Sequence, residues 1–307
     1  MGLRMQSHKV VFFGSGPVAA KALKLLQNNF DIETVITKPK PAYHKTSFPV
    51  IDVCENNNIP YLTCTNRKEL SELISKTKFS SKIAVLIDFG IIVSQDVIDA
   101  FPLGIVNSHF SILPDLRGAD PITFAILTGQ KTTGVSLMLL VEKMDEGPLI
   151  AFGEYELPKD ITTPILTEHL IHFSDRLLRL ELPKYIQARH SSPQSITNRK
   201  VSYSRKITKD DGKIDWSKKA EILEREIRAY RDWPKSYTSL AGIDITITEA
   251  SLVEEQGEPG KLSIKDKQLI VFCGQDSLLI KKLVPAGKKE MTAESFIHGH
   301  KALLQQP

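Results

Sequence analysis

The first half of the chain alternates between short apolar runs and longer segments whose apolar residues recur at helical spacing. Runs rich in β-branched and aromatic residues predict strands, and apolar positions three and four residues apart predict helices. The predicted strands are 8–13, 33–37, 83–88, 104–107 and 133–140. The predicted helices are 19–26, 49–57, 67–78, 94–100, 119–128 and 164–189. This alternation predicts an α/β, Rossmann-like domain with a mostly parallel sheet covered on both faces.

The pattern changes after residue 189. Residues 190–200 are polar and aperiodic, which is typical of a linker. Beyond a predicted helix at 218–231, short strands are predicted at 236–240, 244–252, 261–264, 268–273 and 278–283. Five short strands separated by glycines favour a small OB-type β-barrel. We therefore predict a first domain over 5–189, a linker over 190–204 and a second domain over 205–307.

A glycine-containing turn follows the first predicted strand. Gly14-Ser15-Gly16-Pro17 lacks the third glycine of the dinucleotide-binding fingerprint. We interpret it as a tight turn that lets the backbone approach a ligand or a neighbouring element.

Composition adds little about fold but narrows the class of protein. Hydrophobic residues make up 41% of the chain and charged residues 25%, as in proteins that bury a core. The longest apolar runs, such as 83–87, are far shorter than the ~20 residues of a membrane span. The three cysteines have no metal-ligand spacing. We expect reduced thiols, a cytoplasmic location and no membrane association.

The net charge of +4 is unevenly placed. Residues 1–190 carry 20 basic and 20 acidic side chains, whereas residues 191–307 carry 20 and 16. The basic excess therefore lies in the last third of the chain, where it is compatible either with a polyanionic partner or with ordinary solvated lysines.

Asn107 and His109 are the first candidates for chemistry. They stand two residues apart at a predicted strand end, so their side chains point the same way. An amide can donate to a developing oxyanion, and an imidazole can exchange protons near neutral pH. The alternative is a capping asparagine and a core histidine.

Asp145 is the third candidate. It follows the predicted strand 133–140 in the sequence Met144-Asp145-Glu146-Gly147. A carboxylate there could orient the imidazole or take a proton from an attacking amine. A surface turn would have the same sequence.

Taken together, His109-Phe110-Ser111-Ile112-Leu113-Pro114, Arg117-Gly118 and Asp145 resemble the signature of formyltransferases that use 10-formyltetrahydrofolate. The resemblance continues to about residue 296. Further segments are similar to the carboxyl-terminal part of methionyl-tRNA formyltransferases: 203–207, 214–216, 227–229 and 283–289. The chain is thus identified as a member of this enzyme family.

The resemblance implies a formyltransferase fold and direct transfer of a formyl group to the α-amino group of methionine on initiator tRNA. It implies catalytic roles for Asn107, His109 and Asp145, with no metal. It also implies a folate site formed by Ser111, Ile112, Leu113, Pro114, Asp88, Phe89 and Gly90. Asp88 departs from the family, in which Ala-Tyr-Gly is the usual sequence of this loop.

The expected RNA contacts are basic. They are Lys38, Lys40, Lys45, Arg199, Arg205, Lys206, Lys288 and Lys289. The loop 37–46 is shorter than its counterpart in the family and lacks the usual Arg-Gly-Lys-Lys run, so we expect a weaker or displaced grip on the acceptor end. Phosphate contacts by lysine give affinity without sequence information. Nothing in the sequence indicates a dimer, and we expect a monomer.

Two alternatives stay open. The acceptor could be a nucleotide-sugar amine, a glycinamide ribonucleotide or water, because such enzymes share the Asn/His/Asp site. The chain could also be a non-catalytic RNA-binding relative whose barrel uses exposed aromatics. The candidates for that role are Tyr203, Trp216, Tyr230 and Trp233.

Overall fold

A computed structural model describes residues 8–40 and 48–300, which form two compact units. Of the described residues, unit 1 contains those up to Gly118, Thr132–Glu156 and Thr167–Ser204. Unit 2 contains Ala119–Lys131, Leu157–Leu166 and the described residues from Arg205 onward. Both units are therefore built from segments that are separated along the chain.

Unit 1 is organised around a seven-stranded sheet. Its strands, with a two-stranded pair, are β1 Lys9–Phe13, β2 Asp31–Thr37, β3 Tyr61–Thr63, β4 Ala84–Leu86, β5 Ile105–His109, β6 Arg117–Gly118, β7 Thr132–Leu139, β8 Leu149–Glu156 and β9 Tyr203–Ser204. The sheet order is β3-β2-β1-β4-β5-β7-β8, and β6 pairs with β9. The first five strands of this order run parallel, whereas β7 is antiparallel to both β5 and β8. The mostly parallel sheet predicted from the sequence is confirmed.

The helices of the two units follow the predicted segments closely, except that α8 was not predicted. They are α1 Pro17–Leu26, α2 Pro49–Asn56, α3 Arg67–Lys76, α4 Gln95–Asp99, α5 Pro121–Leu127, α6 Thr163–Ala188, α7 Ala220–Ala229 and α8 Ala293–Gly299. Proline at the first helical position begins α1, α2 and α5, where its missing N–H would have had no helical partner. Among the described residues, no helix combines the length and the apolar character that crossing a lipid bilayer requires.

The core of unit 1 lies on both faces of the parallel strands. Val10, Val11, Phe12 and Phe13 of β1 are all 0% exposed, as expected for a central strand covered on two sides. The ring of Phe13 packs edge-on against that of Phe89, with ring centroids 5.4 Å apart.

Unit 2 contains an antiparallel sheet in the order β10-β11-β14-β13-β12, with β15 paired to β14. Its strands are β10 Ser236–Leu240, β11 Ile243–Val253, β12 Leu262–Lys265, β13 Gln268–Phe272, β14 Ser277–Pro285 and β15 Met291–Thr292. The five predicted strands are thus present, and they enclose an apolar core together with α7 and α8. Helix α5, although it precedes this sheet by more than a hundred residues, also belongs to unit 2 and packs on α7.

Candidate active site

Asn107 and His109 extend from the same side of β5. Asn107 is 9% exposed and His109 is 6% exposed. Ser108, between them, points to the opposite side, where its hydroxyl lies 2.6 Å from that of Ser174 on α6. The alternation of an extended strand therefore places an amide and an imidazole next to each other.

Asp145 reaches these side chains through a loop that closes on itself. Leu139 N donates to Pro148 O over 2.9 Å, which joins the two ends of the loop 140–147. A Cβ on Gly147 would overlap the Leu139 carbonyl oxygen, so this tight closure needs glycine. Because β7 is antiparallel to β5, its last residue, Leu139, pairs with Val106, and the chain then continues away from His109. The loop itself must carry Asp145 to the site.

The Asp145 carboxylate lies close to both β5 side chains. Its Oδ1 is 3.5 Å from Asn107 Nδ2, and its Oδ2 is 3.8 Å from His109 Nδ1. Gly118 N donates to Oδ2 over 2.7 Å, which fixes the carboxylate between a backbone amide and the imidazole. The three candidate residues predicted from the sequence are therefore brought together.

The imidazole of His109 is held by the backbone on its other side. Nε2 lies 2.9 Å from Leu116 O, an acceptor, so Nε2 carries a proton and donates to it. In the neutral ring, Nδ1 is then unprotonated and faces Asp145. In the imidazolium form, Nδ1 donates on that side. The Leu116 carbonyl therefore fixes the orientation of the ring and leaves Nδ1 on the side of Asp145.

Residues 192–204, which we call the strap, pack against two loops of this site: the loop 140–147, which carries Asp145, and the loop after β5, which contains Leu116. Ser192 forms a bridge with Leu149, and Ser202 Oγ accepts from Leu116 N over 2.9 Å. Gln194 is 7% exposed and bonds to the loop that carries Asp145. These contacts could not be predicted from the sequence, because a polar, aperiodic segment carries no local signal of long-range hydrogen bonds.

The glycine turn at residues 14–16 packs on the loop 88–90. Ser15 N and Gly16 N donate to Asp88 O over 2.9 and 3.2 Å. A Cβ on Gly16 would overlap the Asp88 carboxylate, so the glycine makes room for this side chain. The turn therefore serves a neighbouring element, one of the two interpretations that the sequence allowed.

The expected folate residues divide between backbone and side-chain positions. Asp88 and Gly90 are exposed, whereas Phe89, Ile112 and Leu113 are buried in unit 1. Because these side chains are buried, they can contribute to a folate pocket only by fixing the position of the backbone that would line it. The hydroxyl of Ser111, also buried, donates to Asp115 O over 2.5 Å, and Pro114 is buried beside it.

Apolar side chains stand exposed on two loops of the same unit. Ile92 is 68% exposed on the segment that follows β4, and Met144 is 65% exposed beside Asp145. Val141, in the same loop as Met144, is 38% exposed. Exposed apolar side chains of this kind offer surface against which a flat heteroaromatic ring such as a pterin could pack.

The expected RNA-binding residues lie in different environments. Lys38 is half-buried, and its ammonium donates to Gly90 O over 3.1 Å. Arg199 bonds to Thr132 and Glu154. Lys40, Lys206, Lys288 and Lys289 are exposed, and Lys45 lies outside the described residues.

Arg205 is engaged by a carboxylate. Its guanidinium donates to both oxygens of Asp211, with Nη1 at 2.9 Å from Oδ2. Hydrogen bonds from Arg205 hold the pKa of the Asp211 carboxyl well below its usual range. The charge of Arg205 is therefore largely neutralised within unit 2.

Comparison with known proteins shows the same two-part arrangement. A family model described as formyl transferase matches residues 8–180, and another, formyl transferase, C-terminal domain, matches residues 206–301. The methionyl-tRNA formyltransferase of Bacillus cytotoxicus is 32% identical over 302 residues, covering 95% of this chain and 96% of the relative. The enzyme of the same name from Bacillus mycoides matches to the same extent.

Solved structures share the fold at lower identity. An N-formyltransferase from Helicobacter canadensis, in complex with folinic acid and dTDP-3-aminofucose, has a TM-score of 0.68 at 18% identity, covering 89% of this chain and 98% of that one. HypX from Aquifex aeolicus in complex with tetrahydrofolic acid has a TM-score of 0.63 at 12% identity, covering 96% of this chain and 47% of that one.

Proposed function

The chain belongs to the formyl transferase family, and we propose that it transfers the formyl group of 10-formyltetrahydrofolate to the α-amino group of methionyl-initiator tRNA. The observation that carries the choice of acceptor is the 32% identity with methionyl-tRNA formyltransferases, which extends through unit 2 and over 95% of the chain. The matched length includes the carboxyl-terminal domain with its basic excess.

Formyl transfer requires hydrogen-bond donors that stabilise the negative charge developing on the formyl oxygen. 10-Formyltetrahydrofolate, when bound, supplies a formyl carbon that a neutral amine can attack. Asn107 Nδ2 and the Nδ1–H of protonated His109 donate to the oxygen on which negative charge develops, since Nδ1, 3.8 Å from Asp145 Oδ2, is too far from the carboxylate to be used up by a hydrogen bond there. Both groups are buried and fixed by the strand, so they need little rearrangement as the charge forms.

The amine nitrogen must lose a proton as its bond to carbon forms. A free α-amino group titrates near pH ~8, so a useful fraction is neutral at physiological pH. Asp145, 3.8 Å from His109 Nδ1, orients the imidazole and helps remove that proton. The new amide is released when the bond between the formyl carbon and the folate nitrogen breaks, and that nitrogen regains a proton.

We propose the exposed lysines as contacts to tRNA phosphates. Lys40, Lys206, Lys288 and Lys289 have free access to solvent, and Lys45 remains a further candidate from the sequence. Arg199 and Arg205 each have a carboxylate partner, so a phosphate would have to compete for them. Under this proposal residues 205–307 provide an OB-like tRNA-binding domain, and residues 5–189 provide the catalytic one.

A nucleotide-sugar amine is the second candidate acceptor. The structural likeness to the Helicobacter canadensis enzyme, solved with dTDP-3-aminofucose, favours it. At 18% identity this likeness establishes the fold alone. A non-catalytic RNA-binding role is less well supported, because Asn107, His109 and Asp145 are all in place and Tyr230 is buried.

One assay, run separately with each acceptor, distinguishes the candidate functions. Purified protein would receive 10-formyltetrahydrofolate with either methionyl-initiator tRNA or a dTDP-linked amino sugar. We expect formylmethionyl-tRNA and no formylated sugar. Formylation of the sugar alone would replace the proposed acceptor, and no product with either acceptor would favour the non-catalytic role.

A further inference from the structure

Gln194 lies in a 3-10 turn at residues Gln194–Thr197 of the strap and is almost completely buried. Its side-chain nitrogen donates to Asp145 O over 2.7 Å and to Gly147 O over 2.9 Å. Its side-chain oxygen accepts from Arg117 Nη2 over 2.7 Å. Both amide hydrogens and the amide oxygen are therefore used.

The carbonyls that Gln194 holds belong to the loop that carries the Asp145 carboxylate. The loop is joined to the sheet at its ends, where Leu139 N donates to Pro148 O and Leu140 N donates to Ile105 O of β5, and residues 141–147 belong to no strand. Asp145 has a φ of 51°, in the left-handed region that most side chains avoid. A backbone in this region persists when surrounding contacts fix it. Gln194 supplies two of those contacts on either side of Glu146.

Arg117 links Gln194 both to Glu146 of the loop 140–147 and to the neighbouring residue Gly118. The arginine also approaches Glu146, with Nη1 3.4 Å from Oε1, and it precedes Gly118, whose N–H donates to the Asp145 carboxylate. One buried amide thus connects the backbone of Asp145 with the segment that binds its side chain. A shift of the Gln194 side chain would move both ends of Asp145.

We propose that Gln194 is a positioning residue that sets the place of the Asp145 carboxylate beside His109. The proposal rests on the proposed function in that Asp145 is taken to act in formyl transfer. Gln194 touches neither acceptor nor folate in this scheme and acts only through Asp145. It should therefore influence turnover more than substrate binding.

Two substitutions separate positioning from anchoring of Arg117. Gln194→Leu removes every hydrogen bond of the side chain. Gln194→Glu keeps the shape and can still accept from Arg117, but a carboxylate cannot donate to the two carbonyls. We expect both to lower kcat about 10- to 100-fold, the cost of a small misplacement of a reacting group, with each KM within about threefold. Gln187→Leu, which alters an exposed glutamine at the end of α6, is the matched control and should leave kcat unchanged.

The amide proton of Gly118 reports the position of Asp145 without any substrate. It donates to Asp145 Oδ2 over 2.7 Å, so its NMR resonance should lie downfield in the wild type. We expect it to move upfield in both Gln194 variants and to stay in place in Gln187→Leu. General loss of stability would not select this one resonance.

The outcomes are distinguishable. Loss of kcat in Gln194→Leu with wild-type kcat in Gln194→Glu would show that anchoring Arg117 is what matters and would overturn the proposal. An unmoved Gly118 resonance in both variants would overturn it as well. If the wild type formylates no acceptor, the proposed function fails, while the Gly118 resonance still decides whether Gln194 positions Asp145.

Discussion

The position of the Asp145 carboxylate depends on the backbone conformation of this residue as well as on the contacts of its side chain. Its left-handed conformation suits a short polar side chain, and the Gly118 amide fixes the direction of the carboxylate. Glutamate at this position would place its carboxylate one methylene further out. The distances to Asn107 and His109 therefore depend on aspartate itself and not on negative charge alone.

Alanine substitutions should separate chemistry from binding. We expect Asn107→Ala, His109→Ala and Asp145→Ala each to lower kcat by about a hundredfold or more, equivalent to ~2.7 kcal/mol of transition-state stabilisation. Folate binding should change far less, because these side chains act on the reacting carbonyl and the amine. Single-turnover rates and folate titrations on each variant check this, and near-wild-type turnover would remove that residue from its role.

The spacing of Asn107 and His109 was sufficient to predict that they face the same way, because side chains alternate along any strand. Their contact with Asp145 could not be predicted from spacing, since Asn107 and Asp145 are 38 positions apart and the strand direction changes between them. Gln194 could not be found at all, because an isolated glutamine in a polar segment has no periodicity.

Asp211 should give the stability of unit 2 a dependence on pH. Its carboxylate accepts from Arg205 and from the backbone and hydroxyl of Thr208, and the Arg205 bonds lower its pKa. A lowered pKa stabilises the fold above the unfolded value of about 4, and this stabilisation is lost as the pH falls through the folded value. We expect Asp211→Asn to cost about 1–3 kcal/mol at neutral pH.

Denaturant unfolding at a series of pH values checks this expectation. The difference between wild type and Asp211→Asn should be constant around neutrality and should shrink below about pH 4. Asp210→Asn, which changes an exposed neighbour, is the control. A difference that grows on acidification would contradict the assignment.

At the scale of elements, the strands were easier to predict than their directions. Strand β7 is buried along most of its length, and the sequence of a buried strand is compatible with either pairing direction. From the sequence, we predict Asp145 at the site because it follows a strand. In the structure, β7 ends opposite Val106 and leads away from His109. The loop 140–147 then brings Asp145 back to Asn107 and His109.

Lys38 ties the segment after β2 to the loop after β4. Its bond to Gly90 O orients a carbonyl in the proposed folate loop. We expect Lys38→Met to raise the KM for folate about tenfold, since bonds from charged donors contribute roughly 1.5–3 kcal/mol. The KM for tRNA should hardly change.

Lys40→Met provides the contrast for this prediction. Lys40 is exposed two residues further on, and we expect its loss to raise the KM for tRNA instead. Steady-state kinetics with each substrate varied in turn distinguish the two. If both variants affect only the KM for tRNA, Lys38 belongs with the RNA contacts that the sequence suggested.

At the scale of the molecule, the boundary between the units does not follow chain order. Helix α5 lies within the predicted first domain but packs in unit 2, where Asp120 Oδ2 accepts from Ile207 N over 2.8 Å. Composition and periodicity indicate that alternating strands and helices give way to a polar linker and then short strands near residue 190. They do not show that an earlier helix belongs to the later unit, because packing partners distant in sequence leave no local pattern.

The three buried thiols make this arrangement testable. Cys54 and Cys64 lie in unit 1 and Cys273 lies in unit 2, and burial raises the pKa of each to about 11. Each thiol should therefore react with a labelling reagent only when its own unit opens. We expect Ile126→Ala in α5, a loss of about 2–5 kcal/mol, to accelerate labelling of Cys273.

Leu70→Ala is the matched control, because Leu70 packs in the same cluster as Cys64. It should accelerate labelling of Cys64 and leave Cys273 slow. Mass spectrometry of the labelled peptides gives each rate separately. Faster labelling of Cys54 and Cys64 in Ile126→Ala would place α5 with the first domain, as chain order alone suggests.

The strap has a consequence for the order in which a ribosome delivers this protein. The seven-stranded sheet is complete once Glu156 has been made, yet Gln194 and Ser202 are synthesised much later. A nascent chain arrested with its exposed part ending near residue 189 should thus resist protease across the sheet while its Asp145 loop is still cleaved. One released to residue 204 should protect that loop, so that folding of the scaffold and assembly of its chemistry become two events separated in time.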